Sequence, residues 1–341
     1  MTGLSSHAAR CARTHDVLVI NLAHKSRFRA LANVYLARES DNGLTFAPRL
    51  LDHTRQARRT IGTTRPAQLV RGQWCRLLAM DLRGARIVIT GGSRGIGEAI
   101  ARDLALKGAH IALVARNVGL LEAVAGSLPN AVAVAADLSD QKAVDGLIAR
   151  CEDALGGPID VLVNNAGVDE VGFFSDVTAE DIVRIHQINL ITPIELCRQA
   201  SLGMRARGKG HIVNVSSMAG SVGFPGMTLY CSTKAGLSNF SGILRRELAK
   251  TGVGLTIVEL GPIPTDMLAN VTKCPPVAKA FTRFRRMQLL PNVSRERVAK
   301  EVVAAIETGR QCVRLPKRAA LFPMARAFPQ RAVNLLTRGI D

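Results

Sequence analysis

Acidic residues are scarce in this chain, and scarcest at its two ends. Against 45 Lys and Arg stand 27 Asp and Glu. Residues 1–79 carry 13 bases and 4 acids, residues 271–341 carry 15 and 4, and residues 80–270 carry 17 and 19. A near-neutral middle is therefore flanked by basic ends, which suit anionic lipid or a phosphorylated group. No aromatic-interleaved basic motif and no zinc spacing accompanies that charge, so specific nucleic-acid binding is not expected. The seven cysteines (11, 75, 151, 197, 231, 274 and 312) include no C-x-x-C pair. Their scatter and odd number argue against a disulfide framework or a metal site and for reduced thiols in a cytoplasmic setting. No stretch reaches the ~18 continuous apolar residues of a membrane span. Val17 to Ala23 is short and interrupted by Asn21.

What is present is a globular composition, 47% hydrophobic with 30 glycines, enough for one large α/β domain and an appendage. Residues 1–79 show no sustained period of 2 or 3.6. Val17 to Ile20 reads as a strand fragment and Phe28 to Leu36 as a helix turn. This segment is expected to be a poorly ordered extension or a mis-assigned start, with the fold beginning at Met80.

From residue 84 the pattern becomes regular. Ala85 to Thr90 is rich in β-branched residues, as a buried parallel strand requires. It runs into Thr90-Gly91-Gly92-Ser93-Arg94-Gly95-Ile96-Gly97 and then a helical stretch, Glu98 to Lys107. Glycines at 91, 95 and 97 allow a tight turn and close approach of a pyrophosphate to a helix N-terminus. A second strand, His110 to Ala115, ends in Ala115-Arg116 where an acid usually holds the ribose of NAD. Arg94 and Arg116 suit a 2′-phosphate instead, which favours NADP(H) over NAD(H). A third strand, Ala131 to Ala136, ends at Asp137 and Leu138, placed to meet the adenine. A helix from Gln141 to Leu155 then leads to the strand Ile159 to Val163 and to Asn164-Asn165-Ala166-Gly167.

Ala179 to Ala206 reads as one long helix with Ile182, Ile185, Ile188 and Leu196 on its apolar stripe and a kink near Asn189 caused by Pro193. After the strand His211 to Val215 come Ser217 and then Tyr230-Cys231-Ser232-Thr233-Lys234. Tyr230 and Lys234, four apart, share a helix face, where the ammonium lowers the phenol pKa. A phenol so tuned passes protons to or from a carbonyl or alcohol oxygen, and Ser217 is placed to hydrogen-bond that oxygen. Cys231 reads as a packing residue.

These motifs in series, including Asn189 and Gly261-Pro262-Ile263-Pro264-Thr265, resemble the compact branch of the short-chain dehydrogenase/reductase family over residues 84–266 and, more loosely, to 316. The resemblance implies a Rossmann-type, doubly wound parallel sheet of seven strands with helices on both faces. It implies Tyr230 as general acid/base and Lys234 as the group that lowers its pKa and holds the nicotinamide ribose. Ser217 then orients the substrate oxygen, and Asn189 holds a relay water. Thr90, Gly91, Ser93, Arg94, Gly95, Ile96, Gly97, Arg116, Asp137, Leu138, Asn164, Ala166, Gly167, Pro262 and Thr265 are the expected cofactor contacts, with Tyr230 and Lys234. Leu260-Gly261 departs from the family's Pro-Gly at the start of the Thr265 loop. The resemblance also implies a homodimer or homotetramer and a substrate lid over about 267–292.

The lid mixes apolar residues with Lys279, Arg283, Arg285 and Arg286, pointing to a lipophilic substrate. The tail, 317–341, alternates bases with Leu, Phe and Met, a composition that suits a lipid interface. The expected function is NADP(H)-dependent interconversion of a carbonyl and an alcohol on a small lipophilic molecule. Two alternatives are a 3-oxoacyl-thioester reductase acting on carrier-linked substrates and a non-catalytic, NADP-binding protein at a membrane.

Overall fold

The computed structural model describes residues 79–271, 274–286 and 291–318, and the backbone of 35–40 and 43–48. The chain divides into two compact units, Met1–Pro66 and Ala67–Asp341. In the first, β1 (Tyr35–Ser40) pairs antiparallel with β2 (Gly43–Pro48). Tyr35 and Leu36, expected in a helix turn, thus begin a strand. Val17 to Ile20 and most of the tail, from 319 on, lie outside the described residues.

The second unit holds a parallel sheet of seven strands in the order β5-β4-β3-β6-β7-β8-β9. They are β3 (Arg86–Thr90), β4 (His110–Ala115), β5 (Ala131–Ala135), β6 (Val161–Asn164), β7 (Gly210–Ser217), β8 (Val253–Leu260) and β9 (Cys312–Leu315). Strands β6, β7 and β8 are buried at every position. Continuous apolar runs such as Ile87-Val88-Ile89 are what a sheet covered on both faces demands. One face packs under α1 (Gly95–Leu106), α2 (Val118–Gly126) and α10 (Arg295–Thr308). The other packs under α4 (Leu147–Leu155), α6 (Thr192–Arg207) and part of α7 (Thr228–Glu247). Met80 and Leu82 are buried in the first core, and the Met80 N–H donates to the Glu307 carbonyl at 3.3 Å.

The expected helix from Gln141 to Leu155 is two pieces, α3 (Gln141–Val144) and α4, separated by Asp145 and by Gly146 at φ +65°. That left-handed residue resets the chain direction, which a run of helix-compatible residues does not disclose.

The long helix is likewise divided, into α5 (Ala179–His186), a π turn at Gln187–Ile191, and α6. Pro193 has no N–H to give to the carbonyl four residues back, which is that of Asn189. The helix widens there, where the sequence predicts a kink. Of the expected stripe, Ile185, Ile188 and Leu196 are buried, but Ile182 is 37% exposed.

Strand order reverses between β3's two neighbours, β4 and β6. In such sheets a crevice opens beyond the carboxyl ends of the strands at that point.

Candidate active site

A groove runs along this crevice. Its floor is the glycine loop between β3 and α1, with Gly91 at φ +67°. A Cβ on Gly97 would stand 2.2 Å from the Gly91 carbonyl oxygen, so nothing larger fits where the helix starts against the loop. A Cβ on Gly95 would instead point into open groove, 3.8 Å from Thr265 Cγ2. Ser93, Arg94 and Ile96 line this stretch, with Ala166 and Gly167 opposite.

One end of the groove is formed by Arg116, Asp137 and Leu138. Asp137 accepts hydrogen bonds from the Ser139 hydroxyl at 2.7 Å and its N–H at 2.9 Å, and these hold its carboxyl below the usual range. Arg116 reaches it at 3.8 Å and is 77% exposed. The other end meets Thr265, from the loop after β8, whose hydroxyl donates to the Ile263 carbonyl. Gly261, at the start of that loop, donates its N–H to the Leu315 carbonyl at 2.7 Å, so the Leu260-Gly261 variant is anchored to β9.

Beyond Thr265 the groove shares Ile96, Asn165, Gly167 and Met267 with a second cavity of about 140 Å³. Ser217, Tyr230, Lys234 and Pro262 line this one, with Met218, Phe224, Met227, Leu260, Leu268 and Phe281. Its outer wall is α8 (Asp266–Val271) and α9 (Pro275–Arg286), whose Phe281 and Phe284 stack edge-on against Phe224 at 5.7 and 5.8 Å.

Ser217 ends β7. Its hydroxyl accepts from the Ala219 N–H at 3.1 Å and donates to the Leu260 carbonyl at 3.3 Å, with the Tyr230 phenol close by. Lys234, one turn along α7, lies 5.8 Å from the Tyr230 ring centre and donates to the Val215 carbonyl at 3.1 Å. Burial dominates both groups: it pushes the Tyr230 phenol up to about 12, against the Ser217 hydrogen bond, and Lys234 down to about 8. Against the expected lowering by Lys234, the phenol moves up, because its burial outweighs an ammonium directed at a backbone carbonyl.

Asn189 is completely buried in the π turn. Its amide exchanges two hydrogen bonds with the Val168 backbone, both 2.8 Å, and donates to Thr233 Oγ1 at 3.3 Å. Its side chain therefore fixes the loop beside Gly167, and only its backbone carbonyl is released by Pro193.

Three further expected contacts face elsewhere. Thr90 is buried, its hydroxyl accepting from the N–H groups of Asn165 and Ala166 at 3.0 and 3.1 Å. Gly97 lies under the loop. Asn164 turns into the core, donating to Asn214 Oδ1 at 2.9 Å and to the Pro193 carbonyl. Of the Asn164-Asn165 pair it is Asn165 that lines both cavities, its amide donating to the carbonyls of Thr90 and Gly91. An Asn-Asn pair marks the position, but only strand alternation at β6 decides which side chain faces the groove. Arg295, at the start of α10, also borders the groove and had no motif to reveal it.

The model of the family described as short chain dehydrogenase matches residues 85–275. The chain belongs to that family. This short-chain dehydrogenase is 37% identical over 181 residues to the ketoacyl reductase HetN of Nostoc sp., a match spanning 52% of this chain and 63% of that one. It is 31% identical over 228 residues to the 3-oxoacyl-acyl-carrier-protein reductase FabG of Haemophilus influenzae, spanning 66% and 90%. Among solved structures, a short-chain dehydrogenase from Sphingobium yanoikuyae in complex with NADPH superposes with a TM-score of 0.62 at 25% identity, covering 74% of this chain and 96% of that one. The chain is accordingly an oxidoreductase of the carbonyl/alcohol class that uses a nicotinamide dinucleotide.

Proposed function

We propose that the protein reduces the carbonyl of a lipophilic substrate with NADPH, with Tyr230 as the proton donor. The observation that carries this reading is the junction of the two cavities. Ser217 and Tyr230 stand at the one polar end of an otherwise apolar chamber, directly beside the Thr265 and Gly167 end of the groove. A bound nicotinamide supplies hydride at that junction. Ser217 and Tyr230 hydrogen-bond the substrate oxygen and stabilise its developing negative charge in a mostly apolar chamber. With its pKa at about 12, the phenol carries its proton at neutral pH and can deliver it as the alkoxide forms. Lys234, still largely protonated at neutral pH, supports that transfer and is placed to hold a ribose hydroxyl.

NADPH is favoured over NADH because Arg94 and Arg116 border the groove while β4 ends without an acid. The NADPH complex of the Sphingobium relative agrees with this. Cofactor titration by fluorescence tests it. NADPH should bind at least tenfold more tightly than NADH, and Arg116→Ala should erase the difference by weakening NADPH alone. Equal affinities in the unaltered protein would sink the assignment.

A carrier-linked 3-oxoacyl thioester is the second reading, favoured by the resemblance to the ketoacyl reductase of Nostoc and the 3-oxoacyl-acyl-carrier-protein reductase of Haemophilus. The non-catalytic reading is disfavoured by the company of Asn189, Ser217, Tyr230 and Lys234. Exposed Val183, Leu202 and Ile243 on the two long helices support a homo-oligomer. No helix among the described residues is long and apolar enough to cross a membrane. The cytoplasmic setting rests on the reduced thiols, and the lipid-interface tail lies almost wholly outside the described residues.

A further inference from the structure

Beside the substrate chamber lies a second cavity, of about 300 Å³, whose position orders the chemistry of a ligand. Pro262, Leu268 and Phe281 line both cavities, so the two adjoin along these residues. The second cavity is completed by Ala278, Thr282, Arg285 and Asn292, and Arg285 is its one charged lining residue. Phe281 and Arg285 are four apart on α9, so they share a face and stand one turn, about 5.4 Å, apart along the axis. Arg285 is exposed, and no carboxylate among the described residues forms an ion pair with it. The neighbouring bases Lys279, Arg283 and Arg286 border a different depression on the outer side of the helix. Polarity along this path therefore runs from hydrogen-bonding groups at Ser217 and Tyr230, across an apolar span, to a single guanidinium.

We infer that the substrate is an amphiphile: its carbonyl meets Ser217 and Tyr230, its apolar body crosses Leu268 and Phe281, and an anionic group at its far end pairs with Arg285. This deepens the proposed function, on which it rests, by naming the substrate class. A carboxylate and a phosphate share the chemistry a guanidinium recognises.

The test uses the full chain with NADPH and a series of oxo-acids in which the chain between carbonyl and carboxylate lengthens. Matched neutral ketones and phosphomonoester-ended ketones complete the set. At the best length, kcat/KM for the anionic member should exceed that of its neutral match by about tenfold. Arg285→Ala should remove this advantage by raising KM for the anion, with kcat and the neutral ketones unchanged, and Arg285→Lys should restore part of it. Arg286→Ala should leave the advantage in place. Dependence on Arg285 in either the carboxylate or the phosphate arm supports the contact and identifies the anion. Dependence in neither arm, or an equal effect of Arg286→Ala, overturns it. Calorimetric binding of the same probes separates this inference from the reaction assigned. Arg285-dependent binding without turnover would remove the reaction and keep the contact. Equal binding by the unaltered protein and Arg285→Ala would remove the contact alone.

Discussion

The groove and the chamber it joins are built on different principles. The groove is the more polar of the two, and its floor comes from seven consecutive residues, Gly91 to Gly97, set at one strand end by backbone geometry. The chamber is apolar, and its walls come from side chains between Val215 and Phe281 that meet only when α8 and α9 fold over β7 and β8. A backbone-made site tolerates almost no variation, so its ligand class can be read locally. A side-chain-made site keeps its reacting end and varies the rest, so it discloses its chemistry before its substrate.

The sharpest way to break that division is to remove the one phenol where the two regions meet. Tyr230→Phe should lower kcat a hundred- to ten-thousand-fold, the usual worth of a positioned proton donor, while the NADPH Kd stays within about twofold. Full activity in single-turnover assays would take the proton donor away from Tyr230. Gly97→Ala should act on the groove alone. The added methyl would collide with the Gly91 carbonyl. Dinucleotide affinity should then fall at least tenfold, and stability should drop by about 1–3 kcal/mol in denaturant melts. Normal NADPH binding by this variant would show that the loop is not the floor of the cofactor site.

The smallest effect should come from a buried group that belongs to neither region. His211, on β7, donates from Nε2 to Thr256 Oγ1 at 2.8 Å, since that hydroxyl already donates to the Arg310 carbonyl. Its Nδ1 is buried without a partner among the described residues, and burial pushes the imidazole down to about 4. The folded protein therefore binds fewer protons here than the unfolded chain. Its stabilisation is complete above the ordinary histidine pKa of about 6.5 and is lost as pH falls through 4. His211→Gln should flatten the loss of stability between pH 6.5 and 4 by up to roughly 3 kcal/mol. It should leave kcat and cofactor affinity at neutral pH unchanged. An unaltered acid limb in urea melts at stepped pH would mean that His211 is already protonated in the fold.

Much of this was legible before folding was considered. Glycine spacing, β-branched runs and the Tyr230–Lys234 interval are local, and local steric rules suffice to interpret them. The π turn was legible too, because Pro193 removes one specific hydrogen bond from one specific carbonyl. The break at Gly146 was not, since neighbouring residues suit a helix and only the chain path demands a left-handed residue there. Nor was the choice between Asn164 and Asn165, which depends on the register of β6 against β7. The phenol of Tyr230 is the plainest case. Sequence spacing brings an ammonium close, yet burial of the whole site sets the direction in which the pKa moves.

The amino-acid sequence by itself determined the strand-loop-helix that meets a dinucleotide, the groups that handle a carbonyl oxygen, and the order of strands and helices that carries them. These are short-range consequences of side-chain type and backbone freedom. Tertiary structure alone decided which asparagine faces the groove, how far the phenol is desolvated, and that Arg285 lies one turn beyond Phe281 beside the chamber. Each of these depends on which remote surfaces exclude water from the same volume, and that is settled only when the sheet and its helices close around it.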